Sequence, residues 1–129
     1  MATTFALKRY GTLLVCNALI EGPSGTHNVE LLLDTGSSYS VAPVEVLEAI
    51  GCSPSTSADH VRITTASGVI VAPRVTCESL RVFDRILQSA SVVAHDLPFA
   101  GPVQGLLGMD ALVRLGARID VVNTTMELV

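Results

Sequence analysis

The chain has 129 residues, which is enough for one domain with a hydrophobic core and too few for two domains of ordinary size. Its net charge is −4 and its 8 lysines and arginines are scattered along the chain, which argues against a nucleic-acid-binding surface. Apolar residues make up 49%, yet charges and turn residues interrupt every apolar run well short of a membrane span.

The N-terminal segment carries its basic pair, Lys8-Arg9, after the first apolar residues. A secretory signal has its basic residues before a long apolar stretch, so this segment does not resemble one. We therefore expect a cytoplasmic protein, or an excised domain, that has no membrane partner.

The cysteines and histidines indicate neither a disulfide framework nor a metal site. Cys16, Cys52 and Cys77 are odd in number, widely spaced and without a Cys-x-x-Cys motif. The three histidines show no metal-ligand spacing. We expect buried free thiols, no metal and no cofactor.

Two β-prone runs separated by a turn cluster predict a hairpin. Residues 12–20 are rich in β-branched and apolar side chains, residues 21–25 favour a turn, and residues 28–33 form the next apolar run. The three leucines at its end fit a short strand that is covered on both faces. That strand ends at Asp34.

Asp34 begins a tight turn within the stretch LLLDTGSSYSV, residues 31–41. Gly36 permits a close backbone approach, and the hydroxyls of Thr35, Ser37 and Ser38 can hydrogen-bond locally and hold the carboxylate. An ordinary junction between strand and turn is the alternative, because Asp and Gly both suit turns.

Residues 43–50 predict a short helix, with Pro43 at its start and Gly51 just past its end. Residues 61–75 then predict a hairpin whose two arms flank the turn Thr65-Ala66-Ser67-Gly68. Taken alone, this hairpin reads as a plain surface element with an exposed tip.

Further strands are predicted at residues 78–82 and 88–94. The segment Leu106-Leu107-Gly108 precedes a helix predicted over residues 109–115, with Gly116 as its stop. Two β-prone runs at residues 119–122 and 125–129 close the chain. Strand edges at a terminus can pair with another molecule, so we expect the last run to contact a second copy.

These motifs resemble those of the retropepsin-like, single-domain aspartic proteases, and the resemblance covers nearly the whole chain. LLLDTGSS is similar to the family's apolar-apolar-Asp-Thr-Gly-Ser signature, GLLGMD to its second apolar-apolar-Gly motif, and ITTASG to its flap. The resemblance implies a mostly β fold with one or two short helices. It further implies a closed acid-protease barrel with one lobe per chain, in a single domain spanning residues 1–129.

The resemblance also implies a role for each motif. Asp34 is the expected catalytic residue, supported by its loop neighbours. The hairpin tip is the expected flap over the substrate, and the second motif is expected to pass beside the catalytic loop. The implied supporting residues are Thr35, Gly36 and Ser37; the flap residues are Thr65, Ala66, Ser67 and Gly68; the second motif is Leu106, Leu107 and Gly108.

The family's chemistry requires two carboxylates that share one proton: one takes a proton from water while the other protonates the substrate carbonyl. This chain has one Asp in the Asp-Thr-Gly context, so a second subunit must supply the partner about a two-fold axis. We therefore expect a homodimeric aspartic endopeptidase that acts on polypeptides. By the same resemblance, Thr35 and its mate lock the two loops together.

Three positions depart from the retroviral pattern. Ser37 stands where those enzymes usually have alanine, Ser38 where they have an acidic residue, and Met109 where they have an arginine that supports the dimer interface. The corresponding salt-bridge network is therefore expected to be absent. We also expect the Ser37 hydroxyl to donate to the Asp34 carboxylate.

Two alternatives to the enzyme remain open. The chain could be a catalytically silent module of the same fold that dimerises or binds peptides, or a domain cut from a polyprotein and active only in that context. The intact Asp34, Thr35, Gly36 and Ser37 favour the enzyme, because a silent module gains nothing from a carboxylate whose desolvation is costly.

Overall fold

The computed structural model describes residues 2–65, 68–98 and 101–129. This part of the chain contains eleven strands, two α-helices and one short 3₁₀ helix, so the predicted mostly β class is confirmed. The elements are β1 (Thr3–Ala6), β2 (Lys8–Tyr10), β3 (Leu13–Gly22), β4 (Gly25–Leu33), β5 (Val41–Ala42), α1 (Val44–Ala49), the 3₁₀ helix (Pro54–Thr56), β6 (His60–Thr65), β7 (Gly68–Val82), β8 (Arg85–Ala94), β9 (Gly105–Leu107), α2 (Met109–Leu115), β10 (Ala117–Asp120) and β11 (Thr125–Leu128).

A ring of strands encloses the main hydrophobic core. Within the described residues the pairing runs β3, β4, β9, β5, β8 and β7, and β7 pairs again with β3, which closes the ring. Strand β2 extends the sheet beyond β3, and β6 extends it beyond β7. The largest fully buried side chains in this core include Ile20, Leu31, Leu47, Leu80 and Leu107. The barrel expectation is therefore confirmed.

The hairpin of β3 and β4 forms as predicted, with a shorter turn. Gly22 and Gly25 still pair with each other, so only Pro23 and Ser24 connect the strands. The expected burial of all three leucines is wrong: Leu31 is 2% exposed, whereas the next two are half-buried. Because Leu31 faces the barrel interior, strand alternation turns Leu32 away from it.

Strand β7 is one continuous strand of 15 residues, which corrects the separate strand predicted at residues 78–82. Its first part pairs with β6 to form the predicted hairpin, and its later part pairs with β8 and β3. Inward-facing Val75, Cys77 and Leu80 keep the strand packed on the core, so nothing ends it at the middle.

Both predicted helices are confirmed. Pro43 is the N-cap of α1, and the Asp96 carboxylate accepts the Val44 N–H at 3.0 Å, which satisfies one of the free donors at the helix start. Gly116, with φ of +62°, ends α2 in the left-handed conformation. None of the helices described has the length and apolar character needed to cross a membrane.

The terminal strands form a second, three-stranded sheet in the order β1, β11, β10. Strand β11 is its central strand, antiparallel to both neighbours, and its Met126 and Leu128 side chains are 0% exposed. The expectation that residues 125–129 pair with a second copy is therefore wrong. Both edges of β11 are occupied by strands of the same chain, and β1 was not predicted.

Cys16, Cys52 and Cys77 are free and buried, which confirms the expected state of the thiols. Burial raises the pKa of the Cys16 thiol to about 12, with a smaller contribution from the negative charge of Glu30. Burial also raises the pKa of the Cys77 thiol, which is hydrogen-bonded to Cys52. Cys16 and Cys77 are therefore uncharged members of the core.

Candidate active site

Asp34 lies at the end of β4, where the strand gives way to a loop. Its backbone N–H donates to the Leu107 carbonyl at 3.0 Å, which ties the start of the loop to β9. Its side-chain Oδ1 accepts the Gly36 N–H at 2.9 Å. Its carbonyl accepts the Ser37 N–H at 3.2 Å, which closes the turn. Backbone groups therefore fix both the position and the orientation of this carboxylate.

Gly108 brings the second motif against the loop of Asp34. A Cβ at Gly108 would lie 2.3 Å from the Tyr39 carbonyl oxygen, a contact that no side chain could make. The Met109 N–H donates to the Ser37 carbonyl at 2.8 Å, just past this crossing point. The absence of a side chain at residue 108 thus lets the two segments share hydrogen bonds.

A buried serine and an aspartate connect the same two segments. Ser40 is 3% exposed; its Oγ donates to Asp110 Oδ1 at 2.8 Å and accepts the Gly108 N–H at 3.1 Å. The Ser40 N–H donates to Asp110 Oδ2 at 3.2 Å. Sequence reasoning did not single out this pair, although both residues lie within the stretches that carry the two motifs.

The Ser37 hydroxyl does not contact the Asp34 carboxylate as expected. It donates to the Tyr39 carbonyl at 2.7 Å, because the loop turns back and places that carbonyl beside it. The Asp34 Oδ1 is instead held by the Gly36 N–H. Ser37 therefore stabilises the loop itself, and the expected hydrogen bond to the carboxylate is wrong.

An open cleft of about 430 Å³ lies beside Asp34, between its loop and the hairpin of β6 and β7. Thr65 pairs with Gly68 at the end of that hairpin, whereas Ala66 and Ser67 lie outside the described residues. The cleft is thus bordered by the loop on one side and by the hairpin on another. Its lining residues are Asp34, Gly36, Ser37, Ser38, Tyr39, Arg62, Ile63, Thr64 and Leu106.

Thr35 points to solvent between two apolar recesses, one against α2 and one against β3 and β4. Ile119 borders both recesses, and Asp34 is the only charged residue among those that line them in the described part of the chain. We call this surface the Thr35 face. Its members include Leu13, Leu32, Leu33, Thr35, Met109, Val113, Ala117, Ile119 and Val121.

Comparison with known proteins places this arrangement in a family. The model of the aspartyl protease family matches residues 17–111, a span that includes the loop of Asp34, the hairpin and the second motif. The chain belongs to the aspartyl protease family. A comparison with curated proteins finds no match in sequence.

This member of the aspartyl protease family is similar to a crystal structure of a retropepsin-like aspartic protease from Rickettsia conorii. The match covers 99% of this chain and 91% of the Rickettsia chain. The TM-score is 0.72 and the sequence identity is 21%. The predicted retropepsin-like fold is therefore confirmed. Between two such distant chains, the likeness is one of fold.

The other aspartates of this family member have structural partners. Asp59 pairs with an arginine, as does Asp84, and Asp96 caps α1. Asp110 accepts hydrogen bonds from the loop, and Asp120 accepts the backbone and side-chain N–H groups of an asparagine, which lower its pKa. None of them lines the cleft as far as the structure describes it. Asp34 is thus the aspartate that lines the cleft in the described part of the chain.

Tyr39 and Arg74 form a further contact at the cleft that sequence reasoning missed. The Arg74 guanidinium lies 5.8 Å from the centre of the Tyr39 ring. Its Nε donates to Asp59 Oδ2 at 2.7 Å, and this carboxylate raises the pKa of the already cationic Arg74. No sequence pattern marks such a contact, because the residues come from three separate segments.

Proposed function

We propose that the chain is an aspartic endopeptidase that acts as a homodimer, in which the two Asp34 carboxylates share a proton and activate water. The observation that carries the proposal is the position of Asp34. It borders both the open cleft and the Thr35 face, so one carboxylate is accessible to a peptide and to a second copy at once.

The chemistry explains why a second copy is needed. Two carboxylates close together cannot both ionise readily, so one takes a proton from water while the other protonates the peptide carbonyl. Asp34 is the one aspartate of the described residues in the cleft, so the partner acid comes from another molecule. The pH dependence of activity should be bell-shaped, and its two limbs belong to the pair.

The Thr35 face supplies a surface for that partner. Leu32 and Leu33 lie half-buried beside Asp34, and Met109 and Val113 on α2 are exposed without charged neighbours in the adjoining recess. Exposed apolar patches of this kind mark association surfaces. A two-fold axis beside Thr35 would bury the patch against itself and bring the two Asp34 loops together.

The hairpin of β6 and β7 supplies the other border of the substrate site. Among the described strands β6 lies at an edge of the sheet, so the backbone groups on its outer side have no strand partner there and are available to an extended peptide. Ile63 and Thr64 of this strand line the same cleft as Asp34. We propose that the hairpin, including Thr65, Ala66, Ser67 and Gly68, acts as the flap over a bound peptide.

The test is cleavage of a peptide library by the purified protein and by its Asp34→Asn variant. We expect cleavage by the wild type and none by the variant, with an unchanged unfolding temperature, since Asn is nearly the same size. Asp84→Asn is the matched control, because Asp84 pairs with Arg85 on the surface and lies away from the cleft.

Three outcomes separate the alternatives. Cleavage lost with Asp34→Asn but kept with Asp84→Asn supports the endopeptidase. Cleavage that survives in Asp34→Asn contradicts it. Peptide binding without cleavage by the wild type supports a catalytically silent peptide-binding module of the same fold instead.

A further inference from the structure

Arg62 lines the cleft, and its side chain has no hydrogen-bond or ion-pair partner in the described part of the chain. The chain has 8 lysines and arginines, and all of them lie within the described residues. Each of the others donates to a carboxylate or carbonyl oxygen of the same chain. Arg62 is therefore the basic side chain that the described fold leaves available to a ligand.

The hairpin that carries Arg62 contains no counter-charge of its own. Residues 60–74 include neither aspartate nor glutamate. The nearest acid in the sequence, Asp59, is already paired with Arg74 at 2.7 Å. Across the strand pair, Arg62 lies opposite Val71, which is 65% exposed and has an apolar side chain. The hairpin therefore leaves the positive charge of Arg62 without a neutralising neighbour.

Asp34 is the other charged residue among those described as lining the cleft. No ion pair joins it to Arg62, since the ion pairs of the described residues all lie elsewhere. Its Oδ1 accepts the Gly36 N–H at 2.9 Å. The cleft thus keeps two opposite charges apart, a negative one on the loop and a positive one on the hairpin.

The cleft runs along the edge of β6 and not over one of its faces. Arg62, Ile63 and Thr64 are consecutive residues, and all three line the cleft. Neighbouring residues of a strand point to opposite faces, so both faces of β6 border the cleft at this edge. Ile63 packs against the buried cluster that includes Val61, whereas Arg62 and Thr64 are exposed. A peptide strand paired with this edge would therefore place alternate side chains on the side of Arg62.

From these observations, and resting on the proposed peptidase function, we propose that Arg62 is a specificity-determining residue that selects an acidic side chain of the bound peptide. A guanidinium binds a carboxylate through two parallel N–H···O bonds, so aspartate and glutamate are its matching partners. The peptide residue across from Arg62 lies on the same side of the strand pair, whereas the residues before and after it point to the other side. The preference for an acid is thus confined to one position and absent at its two neighbours.

The experiment uses peptides that are acetylated and amidated, so that their ends carry no charge, with Glu, Gln or Lys placed at successive positions. Cleavage is measured as kcat/KM, and binding as Kd with the Asp34→Asn variant. We expect the wild type to prefer Glu over Gln by about two- to fivefold at one position, which is the range of one exposed ion pair, and to disfavour Lys there. The difference should appear in KM and Kd, and it should shrink at high salt.

Variants of Arg62 assign this preference to its side chain. Arg62→Gln should bring the ratio between the Glu and Gln peptides to about one, and Arg62→Glu should reverse the preference towards Lys at the same position. Arg62→Lys keeps the charge without the two parallel bonds and should keep part of the preference. Arg81→Gln is the matched control, because it removes the same charge from an exposed residue outside the described cleft lining.

Each outcome decides the proposal. A wild type that prefers Glu at no position overturns it, as does a preference that survives in Arg62→Gln or is lost equally in Arg81→Gln. If Arg62→Gln does not fold, the ratios of Arg62→Lys and Arg62→Glu decide. If the wild type binds the peptides without cutting them, the peptidase function fails, and the Kd ratios still test the role of Arg62. A wild type that neither cuts nor binds contradicts both.

Discussion

The hydroxyl of Ser40 donates to the Asp110 carboxylate at 2.8 Å and joins the loop of Asp34 to helix α2, 70 residues further along the chain. The same hydroxyl accepts the N–H of Gly108, where α2 begins. Ser40 is almost fully buried, so water cannot readily replace either partner. The loop that carries the proposed catalytic acid is therefore anchored from its far end as well as at Asp34.

We expect Asp110→Ala to lower both stability and activity. Removal of the carboxylate leaves the buried Ser40 N–H and hydroxyl without their acceptor, a loss of about 1–3 kcal/mol in the free energy of unfolding. Thermal denaturation and kcat/KM measure the two effects. Asp110→Asn keeps one acceptor oxygen and should fall between wild type and Asp110→Ala. An Asp110→Ala protein with wild-type stability would contradict the anchoring role.

A second prediction concerns the Thr35 face. Val113 is 69% exposed on α2, so Val113→Glu should leave the fold intact while it places a charge in the proposed apolar contact between subunits. Sedimentation should show a weaker dimer, and specific activity should fall more steeply on dilution than in the wild type. Ile86→Glu is the control, since Ile86 is 53% exposed and lies outside this face. Equal dimer affinity in both variants would show that the Thr35 face is not the dimer interface.

Removal of residues 125–129 should unfold the chain itself and not merely weaken the proposed dimer. Strand β11 pairs on both sides, and its Met126 and Leu128 are fully buried within one chain. Met126→Ala alone should cost about 2–5 kcal/mol. Val122→Ala, at an 89% exposed position in the adjoining turn, is the control and should change stability little. A truncated monomer that melts like the wild type would refute this account.

The buried Cys16 thiol predicts a loss of stability in alkali. Burial raises its pKa from 9.0 to about 12, so the unfolded chain loses this proton first as the pH rises. The contribution of the protonated Cys16 thiol to the free energy of unfolding is on the order of 4 kcal/mol. It is fully present below pH 9 and is lost as the pH rises towards 12. Urea denaturation at pH 8 to 11 measures the fall. Cys16→Ala should be less stable than the wild type at pH 8, and its free energy of unfolding should fall less above pH 9. If the free energy of unfolding falls equally with pH in both proteins, groups other than Cys16 cause the effect.

The sequence predicted those parts of the molecule that local patterns determine. Turn residues and β-prone runs predict the hairpin of β3 and β4. Apolar spacing and capping residues predict both helices and the end of α2 at Gly116. The Asp34 loop and the Gly108 crossing carry motifs that only a few residue types can satisfy. These features were predictable because each depends on neighbours in sequence.

The rest depends on contacts between distant segments. Strand β1 is four residues long and mostly exposed, so it has neither apolar alternation nor length to reveal it. The central place of β11 follows from its partners β1 and β10, which its own residues do not specify. The hydrogen bond of Ser37 was also not predictable from its neighbours in sequence. Its hydroxyl donates to the Tyr39 carbonyl and not to the Asp34 carboxylate, because of the path that the folded loop takes.

The order β1, β11, β10 also bears on how the protein is made. Synthesis proceeds from the N-terminus, so β1 remains without its partner until β11 has left the ribosome. Pairings between the two ends of a chain are slow to form, because the whole loop between them must close first. We expect the sheet that borders the Thr35 face to be completed late. In the proposed dimeric mechanism, subunit association and proteolysis would then wait until β11 has been made, and the nascent polypeptide would not be cut before that point.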